Sequence, residues 1–172
     1  MELRDPQPGP GGVAAIYPRA LPQVYGYLVT RCGSAAVAED LTAETFMAAV
    51  KSEREGAVAE LTVAWLVGVA RHKLVDHWRR AEREQRTLAA TEPLTPVVDD
   101  PWDAQLDVDA LHVALTRVPP MHRLALTLRY LDGLSVAQVA EHVDRSLHAT
   151  ETLLVRARAA LRRVYREEEP DA

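Results

Sequence analysis

The sequence predicts an all-α fold: two small helical domains, the first a bundle and the second a helix-turn-helix, joined by a flexible acidic linker. Three observations carry this. Apolar residues recur at three- and four-residue spacings along most of the 172 residues, the signature of amphipathic helices. The composition is 48% hydrophobic with only 5% aromatic residues, and Ala, Leu and Val fill small helical cores well. One stretch, Thr87 to Asp100, carries Pro93 and Pro96 and no strong periodicity, which divides the chain into two pieces.

Charge and cysteine content narrow the function classes. A net charge of −5 excludes a polycation coating nucleic acid, but the charge is segregated. Between Arg86 and Arg117 there is no Lys or Arg, while Glu92, Asp99, Asp100, Asp103, Asp107 and Asp109 all lie there. Local basic patches elsewhere can still bind DNA. Cys32 is the single cysteine, so an internal disulfide and a thiolate zinc cluster are excluded, and a small buried thiol is expected. No apolar run of about 18 residues and no charged-then-apolar leader occurs. The expectation is a cytoplasmic protein with no membrane insertion.

Taken in order, residues 1–12 are rich in Pro and Gly and are expected to form a disordered tail. From Val13 the pattern turns helical, with Ile16, Leu21, Val24, Tyr25 and Leu28 as core candidates. Pro18 and Pro22 predict a helix that starts late or bends, and Gly33 ends it. Ser34 is an N-cap for the next helix, whose Val37, Leu41, Thr45, Phe46 and Val50 point inward. Its outer face holds Glu39, Asp40 and Glu44 with no basic residue of its own. That face reads either as an ordinary solvated surface or as a docking surface for a basic partner helix. After the charged connection Lys51–Glu60, Thr62 starts a third helix that frays near Arg86. Three helices with short joints make the first domain, residues 13–86.

The third helix is the most informative. On a helical wheel Val63, Leu66, Val67, Ala70, Leu74 and Trp78 share one apolar arc, and His72, Asp76, Arg79 and Arg83 lie opposite, with Lys73 and Arg80 at the border. Trp65 falls among the charged residues because Trp65, His72 and Arg79 are spaced by sevens. An indole in line with guanidiniums suits a nucleic-acid strand: rings stack on bases and cations neutralise phosphates. An amphipathic core helix with a solvated basic face and a half-buried Trp fits the same wheel, and this helix alone leaves both readings open.

Beyond the linker, residues 87–100, Asp100-Pro101 reads as an N-cap followed by a first-turn proline. Trp102, Leu106, Ala110 and Val113 form one stripe and Leu111, Leu115 and Val118 another. Pro119-Pro120 opens a helix with Met121, Leu124, Leu128 and Leu131 in register, closed by Gly133. Ser135 and Gln138 make a capping box for a short helix. Asp144-Arg145 turns the chain, and Ser146 caps a last long helix with Thr150, Leu154, Ala157, Leu161 and Val164 inward. A short helix, a tight turn and a longer basic helix form a helix-turn-helix. His148, Ala149, Thr152 and Arg156 face outward at its leading end, beside Arg145. An αα-hairpin without a DNA role has a similar pattern; the arginine cluster favours DNA binding. The second domain is residues 101–166, and 167–172 form a solvated tail.

Ala38–Phe46 (AEDLTAETF), Trp65–Arg80 (WLVGVARHKLVDHWRR) and LTLRYLDGLSVAQVA followed by ATETLLVRARAALRR occur in this order. The sequence from about Ile16 to Tyr165 thereby resembles the extracytoplasmic-function sigma factors, the group 4 members of the bacterial sigma-70 family. The three stretches resemble regions 2.2, 2.3–2.4 and 4. The resemblance implies a sigma region 2 domain at 13–86 and a sigma region 4 helix-turn-helix at 101–166. It implies that Glu39, Asp40 and Glu44 dock on the β′ clamp helices of the RNA polymerase core. Trp65, Arg71, Lys73, Arg79 and Arg80 would then hold the opened −10 element, with the 51–60 loop walling the base pocket. Arg145, His148, Thr152 and Arg156 would read the −35 element, with region 4 leaning on the β flap. Partners implied are core polymerase, promoter DNA and an anti-sigma factor, and the protein would join the nucleoid when polymerase-bound. The chain departs from the family's usual residues at Ala43 (Gln), His72 (Asn), and Glu151 and Leu153 (Lys and Arg in many members), so its −35 sequence is not to be borrowed from better-known members.

No converging catalytic constellation, glycine-rich phosphate loop or cofactor motif occurs, so neither enzymatic activity nor a cofactor is expected. His72, Asp76 and His77 lie at ligand-like spacing on one helix, but no further ligand set accompanies them and a hydrogen-bonded surface group is expected; no metal site is assigned. A DNA-binding regulator shares the helix-turn-helix without accounting for Trp65 or the acidic face. An adaptor predicts no salt-sensitive DNA binding.

Overall fold

A computed structural model describes residues 12–88 and 108–168. Among these residues the chain forms α1 (Val13–Cys32), α2 (Ala35–Arg54), α3 (Val63–Leu88), α4 (Val108–Arg117), α5 (Pro120–Leu126), a π-helical segment (Thr127–Leu131), α6 (Val136–Val143) and α7 (Leu147–Glu168), with no strand. The chain divides into two compact units between Leu74 and Val75, inside α3. The expected tail at 1–12 falls almost wholly outside the described residues. So do most of the 87–100 linker and the Asp100-Pro101 cap with its Trp102 and Leu106 stripe.

In the first unit α1 and α2 pack as an antiparallel pair, and the Val13 amide at the start of α1 donates to Glu53 Oε1 near the end of α2 at 3.3 Å. Gly33 supplies the left-handed residue between them, φ 66°, which side-chain-bearing residues adopt at a cost. The Val37 amide then donates to the Ser34 hydroxyl, capping α2. Rather than starting late, α1 runs from Val13 through both prolines. Pro18 and Pro22 are one turn apart on the exposed side, as is Ala14, so the carbonyls left without donors face water, which satisfies them.

Ile16, Ala20, Val24 and Leu28 of α1, Leu41, Phe46 and Ala49 of α2, and Leu66, Ala70 and Leu74 of α3 are buried. Each fully buried leucine contributes about 1.5–3 kcal/mol. Leu21, Tyr25, Val37, Val50, Val63 and Val67, expected inward, are half-buried. Thr45 has no exposed surface; its hydroxyl donates to the Leu41 carbonyl at 2.7 Å, which removes the cost of burying it. Cys32 is buried, as expected for a lone thiol.

In the second unit Met121, Leu124, Leu128, Val139, Val143, Leu153 and Leu154 enclose Val75 in one apolar cluster, with Trp78 packed against it. A second cluster joins Ala114, Leu115 and Val118 of α4 to Leu126, Ala157, Leu161, Val164 and Tyr165. Two residues expected inward are not. Leu131 is 45% exposed because the chain leaves α-geometry at Thr127: the Asp132 amide donates to the Thr127 carbonyl and the Leu134 amide to the Leu128 carbonyl, both at 3.0 Å. Turns that span five or six residues shift the apolar register off the core after Leu128. Val113 is exposed while its neighbour Ala114 is fully buried, and Leu115 and Val118 of α4 are buried with it. Leu153, which stands where many members of the resembled family carry a basic residue, is buried.

Candidate nucleic-acid interface

Local sequence fixes the frame of the helix-turn-helix. The Ser135 hydroxyl accepts from the Gln138 amide at 3.2 Å, and the Gln138 side chain accepts from the Ser135 amide at 2.9 Å, so two donors at the start of α6 are satisfied reciprocally. Asp144 ends α6 in the left-handed region, φ 54°, a conformation that aspartate tolerates better than most residues. The Ala149 amide donates to Ser146 Oγ at 3.2 Å, starting α7. Arg129 Nη1 donates to the Leu134 carbonyl at 2.9 Å, fastening the loop that precedes α6.

This frame presents His148 and Glu151 outward at the leading end of α7, 3.9 Å apart, with the histidine side chain 93% exposed. Arg145, Thr152 and Arg156 are half-buried, and the Thr152 hydroxyl donates to the His148 carbonyl at 3.1 Å. Arg145, Ala149, Thr152 and Arg156 line one groove, which Glu82 and Arg86 of α3 also line. Of the four residues expected to read duplex DNA, Arg145 lies in the turn before α7 and the other three in its first half; Arg145, Thr152 and Arg156 line that groove. Arg158, further along, donates to the Tyr130 hydroxyl at 3.0 Å.

On α3, the Trp65 amide donates to the Thr62 hydroxyl at 3.1 Å, an N-cap. The Trp65 side chain is half-buried rather than fully presented to solvent, and Arg71 is half-buried too. Lys73 Nζ lies 3.4 Å from Glu44 Oε2, so the acidic face of α2 gains a cation from α3 that its own sequence lacks. Arg79 pairs with Asp144 at 3.8 Å, and Arg80 is exposed. The five α3 residues thus differ in environment: Lys73 meets α2, Arg79 meets the turn before α7, and Arg80 faces water.

Glu39 and Asp40 are exposed, as is Glu44 despite its partner. Met47, which the sequence reading left out, is 67% exposed and follows Asp40 and Glu44 at seven- and three-residue spacing on the same helical stripe. That spacing was the available signal: an apolar side chain continuing an acidic stripe that does not face the core. Among the described residues no group of three or more His, Cys, Asp or Glu side chains could hold a metal ion, and no helix is long and apolar enough to cross a membrane.

Comparison with known proteins places these surfaces in a family. The model of sigma-70 region 2 matches residues 16–84 and that of sigma-70 region 4 matches residues 109–161. The chain is 33% identical over 159 residues to the ECF RNA polymerase sigma factor BldN of Streptomyces coelicolor, covering 87% of this chain and 58% of that protein. It is 30% identical over 157 residues to the ECF RNA polymerase sigma factor SigL of Mycobacterium tuberculosis, covering 89% of this chain and 88% of SigL. Among solved structures, the sigma factor RpoE of Bartonella quintana, in complex with the anti-sigma factor NepR, superposes with a TM-score of 0.53 at 22% identity, over 88% of this chain and 94% of RpoE. Two family models in the order of the motifs, and a relative matched over most of its length, establish that this chain belongs to the extracytoplasmic-function sigma factors of the sigma-70 family.

Proposed function

We propose that this chain directs core RNA polymerase to promoters by engaging the −10 and −35 elements at separate surfaces, and helps to open the duplex for transcription initiation. Residues 13–86 act as the region 2 domain, 87–100 as an acidic tether and 101–166 as the region 4 domain. Glu39, Asp40 and Glu44 dock on the β′ clamp helices, and Met47 adds an apolar contact on the same stripe. Trp65, Arg71, Lys73, Arg79 and Arg80 hold the opened −10 strand. Extruding a base costs a few kcal/mol, and stacking on a ring returns about 1–3 kcal/mol per base. Arg145, His148, Thr152 and Arg156 read the −35 duplex, with region 4 against the β flap. An anti-sigma protein is a further partner. The protein acts in the cytoplasm, joining the nucleoid with polymerase, and does no chemistry of its own.

The observation that carries this reading is the coexistence in one chain of an exposed acidic stripe on α2 and a helix-turn-helix whose two helices are N-capped, with Arg145 and Arg156 lining one groove. A DNA-binding regulator needs only the second of these. In vitro transcription tests the proposal. Adding the purified chain to core polymerase should produce transcripts from defined genomic sites; a chain that binds DNA but never yields initiated RNA would be a regulator instead.

A further inference from the structure

The first turn of α7 is fixed by hydroxyl groups of its own. The Ala149 amide donates to Ser146 Oγ at 3.2 Å, and the hydroxyl of Thr150, a residue with no exposed surface, donates to the Ser146 carbonyl at 3.0 Å. On this capped start Leu147, His148 and Glu151 share an arc of about 100°, at about 100° per residue. All three are exposed, Leu147 at 52% and the side chains of His148 and Glu151 at 93% and 57%. Ala149, Thr152 and Arg156 occupy the neighbouring arc and line the groove with Arg145. The Thr152 hydroxyl proton is already given to the His148 carbonyl. The ridge beside the groove therefore presents an apolar side chain, an imidazole and a carboxylate, and Glu151 alone of the three carries a fixed charge.

A carboxylate at this place repels phosphate and has only acceptor oxygens. The donors that bases present in the major groove are the amino groups, N4 of cytosine and N6 of adenine; guanine offers N7 and O6 and thymine O4, all acceptors. Adenine sets its N7 acceptor beside the amino group, whereas cytosine presents the donor alone, so cytosine suits a carboxylate better. We infer that Glu151 is a specificity-determining residue of the −35 surface and selects a cytosine by accepting from its N4 amino group. The inference rests on the reading under Proposed function that this end of α7 engages the −35 duplex. His148, whose Nδ1 lies 3.9 Å from Glu151 Oε2, stands one turn earlier, about 4.5 Å along the helix, within reach of a guanine N7 or O6 about one base-pair step away, 3.4 Å. Arg145 and Arg156 supply the attraction to phosphate that positions the helix, and the ridge supplies the discrimination between bases.

Selection by the assembled polymerase tests this. Core polymerase carrying the full chain is mixed with promoter duplexes randomised at every position of the −35 element, and the bound and unbound fractions are sequenced. With the unaltered chain, one position should favour cytosine over guanine by about fivefold or more. Glu151→Ala should reduce that ratio below about twofold while the preferences at other positions hold. Glu151→Gln keeps the shape of the side chain, and its amide pairs with adenine N6 and N7, so the same position should move from cytosine toward adenine. Because Glu151 is exposed, both variants should melt with the unaltered chain. A cytosine preference that survives both substitutions, a −35 preference without cytosine, or a change in binding spread evenly over all sequences overturns the inference; the last marks Glu151 as a repeller of phosphate only. Each of these leaves the sigma assignment intact so long as the unaltered chain lets core polymerase initiate RNA. A chain that gives active core polymerase neither a −35 preference nor initiated RNA overturns the assignment itself, and the role of Glu151 with it.

Discussion

Reversing one charge on the acidic stripe separates docking from folding. In Glu44→Lys the carboxylate that stands 3.4 Å from Lys73 Nζ becomes an ammonium. In bulk water two unit charges at this separation attract by about 1.2 kcal/mol. With the side chains 48% and 33% exposed, solvent and salt screen the pair, and its net worth is at most about 1 kcal/mol. Repulsion between two lysines adds a cost of similar size, which the flexible side chains relieve by swinging apart. For a domain of this size 1 kcal/mol corresponds to about 4–8 °C in Tm, so the variant should stay folded, melting only a few degrees lower. Its affinity for core polymerase should fall at least about tenfold, roughly 1.4 kcal/mol, because a like charge then faces a basic partner helix. Fluorescence anisotropy with labelled chain and purified core polymerase, beside a thermal melt of the same sample, reads both quantities. Unchanged affinity in the folded variant would refute the docking assignment, and loss of fold would show that the Lys73 pair matters far more to stability than its exposure implies.

Three further outcomes are expected. Trp65→Ala should impair promoter opening, read by permanganate footprinting, more than polymerase binding; because the indole is half-buried, a modest loss of Tm accompanies it, and complete unfolding would mark Trp65 as core instead. Arg156→Ala should weaken binding to a −35 duplex and reduce the slope of log K against log salt by about 1, with single-strand binding unchanged in a gel-shift series. Leu124→Ala should cost about 2–5 kcal/mol in denaturant unfolding because it empties a fully buried site, whereas Leu131→Ala, at 45% exposure, should stay within about 0.5 kcal/mol; equal costs would contradict the register shift at the π-helical segment.

Much of the architecture was legible because local chemistry writes it. Gly33, Ser34, Thr62, Gly133, the Ser135/Gln138 box, Asp144 and Ser146 each terminate or start a helix through backbone geometry or a hydrogen bond within three or four residues. The inward stripe of α7 was legible for the same reason: Thr150, Leu154, Ala157, Leu161 and Val164 keep regular α-periodicity and are all buried. The outward acids of α2 and the outward His148 followed from the same wheels.

What the sequence determined by itself is the series of helices, their caps, the charge segregation and the family motifs, since all of these rest on neighbours along the chain. What only the tertiary structure decided is where unlike elements meet. The wheel of α3 could not show Lys73 reaching Glu44, Arg79 reaching Asp144, or Val75 and Trp78 entering the cluster of Leu124 and Leu153. Nor could the pattern of α5 foresee the i→i+5 turn that turns Leu131 outward. Helical periodicity states which side chains share a face; whether that face meets solvent, an opposite charge or another helix depends on residues distant in sequence, which no local pattern encodes.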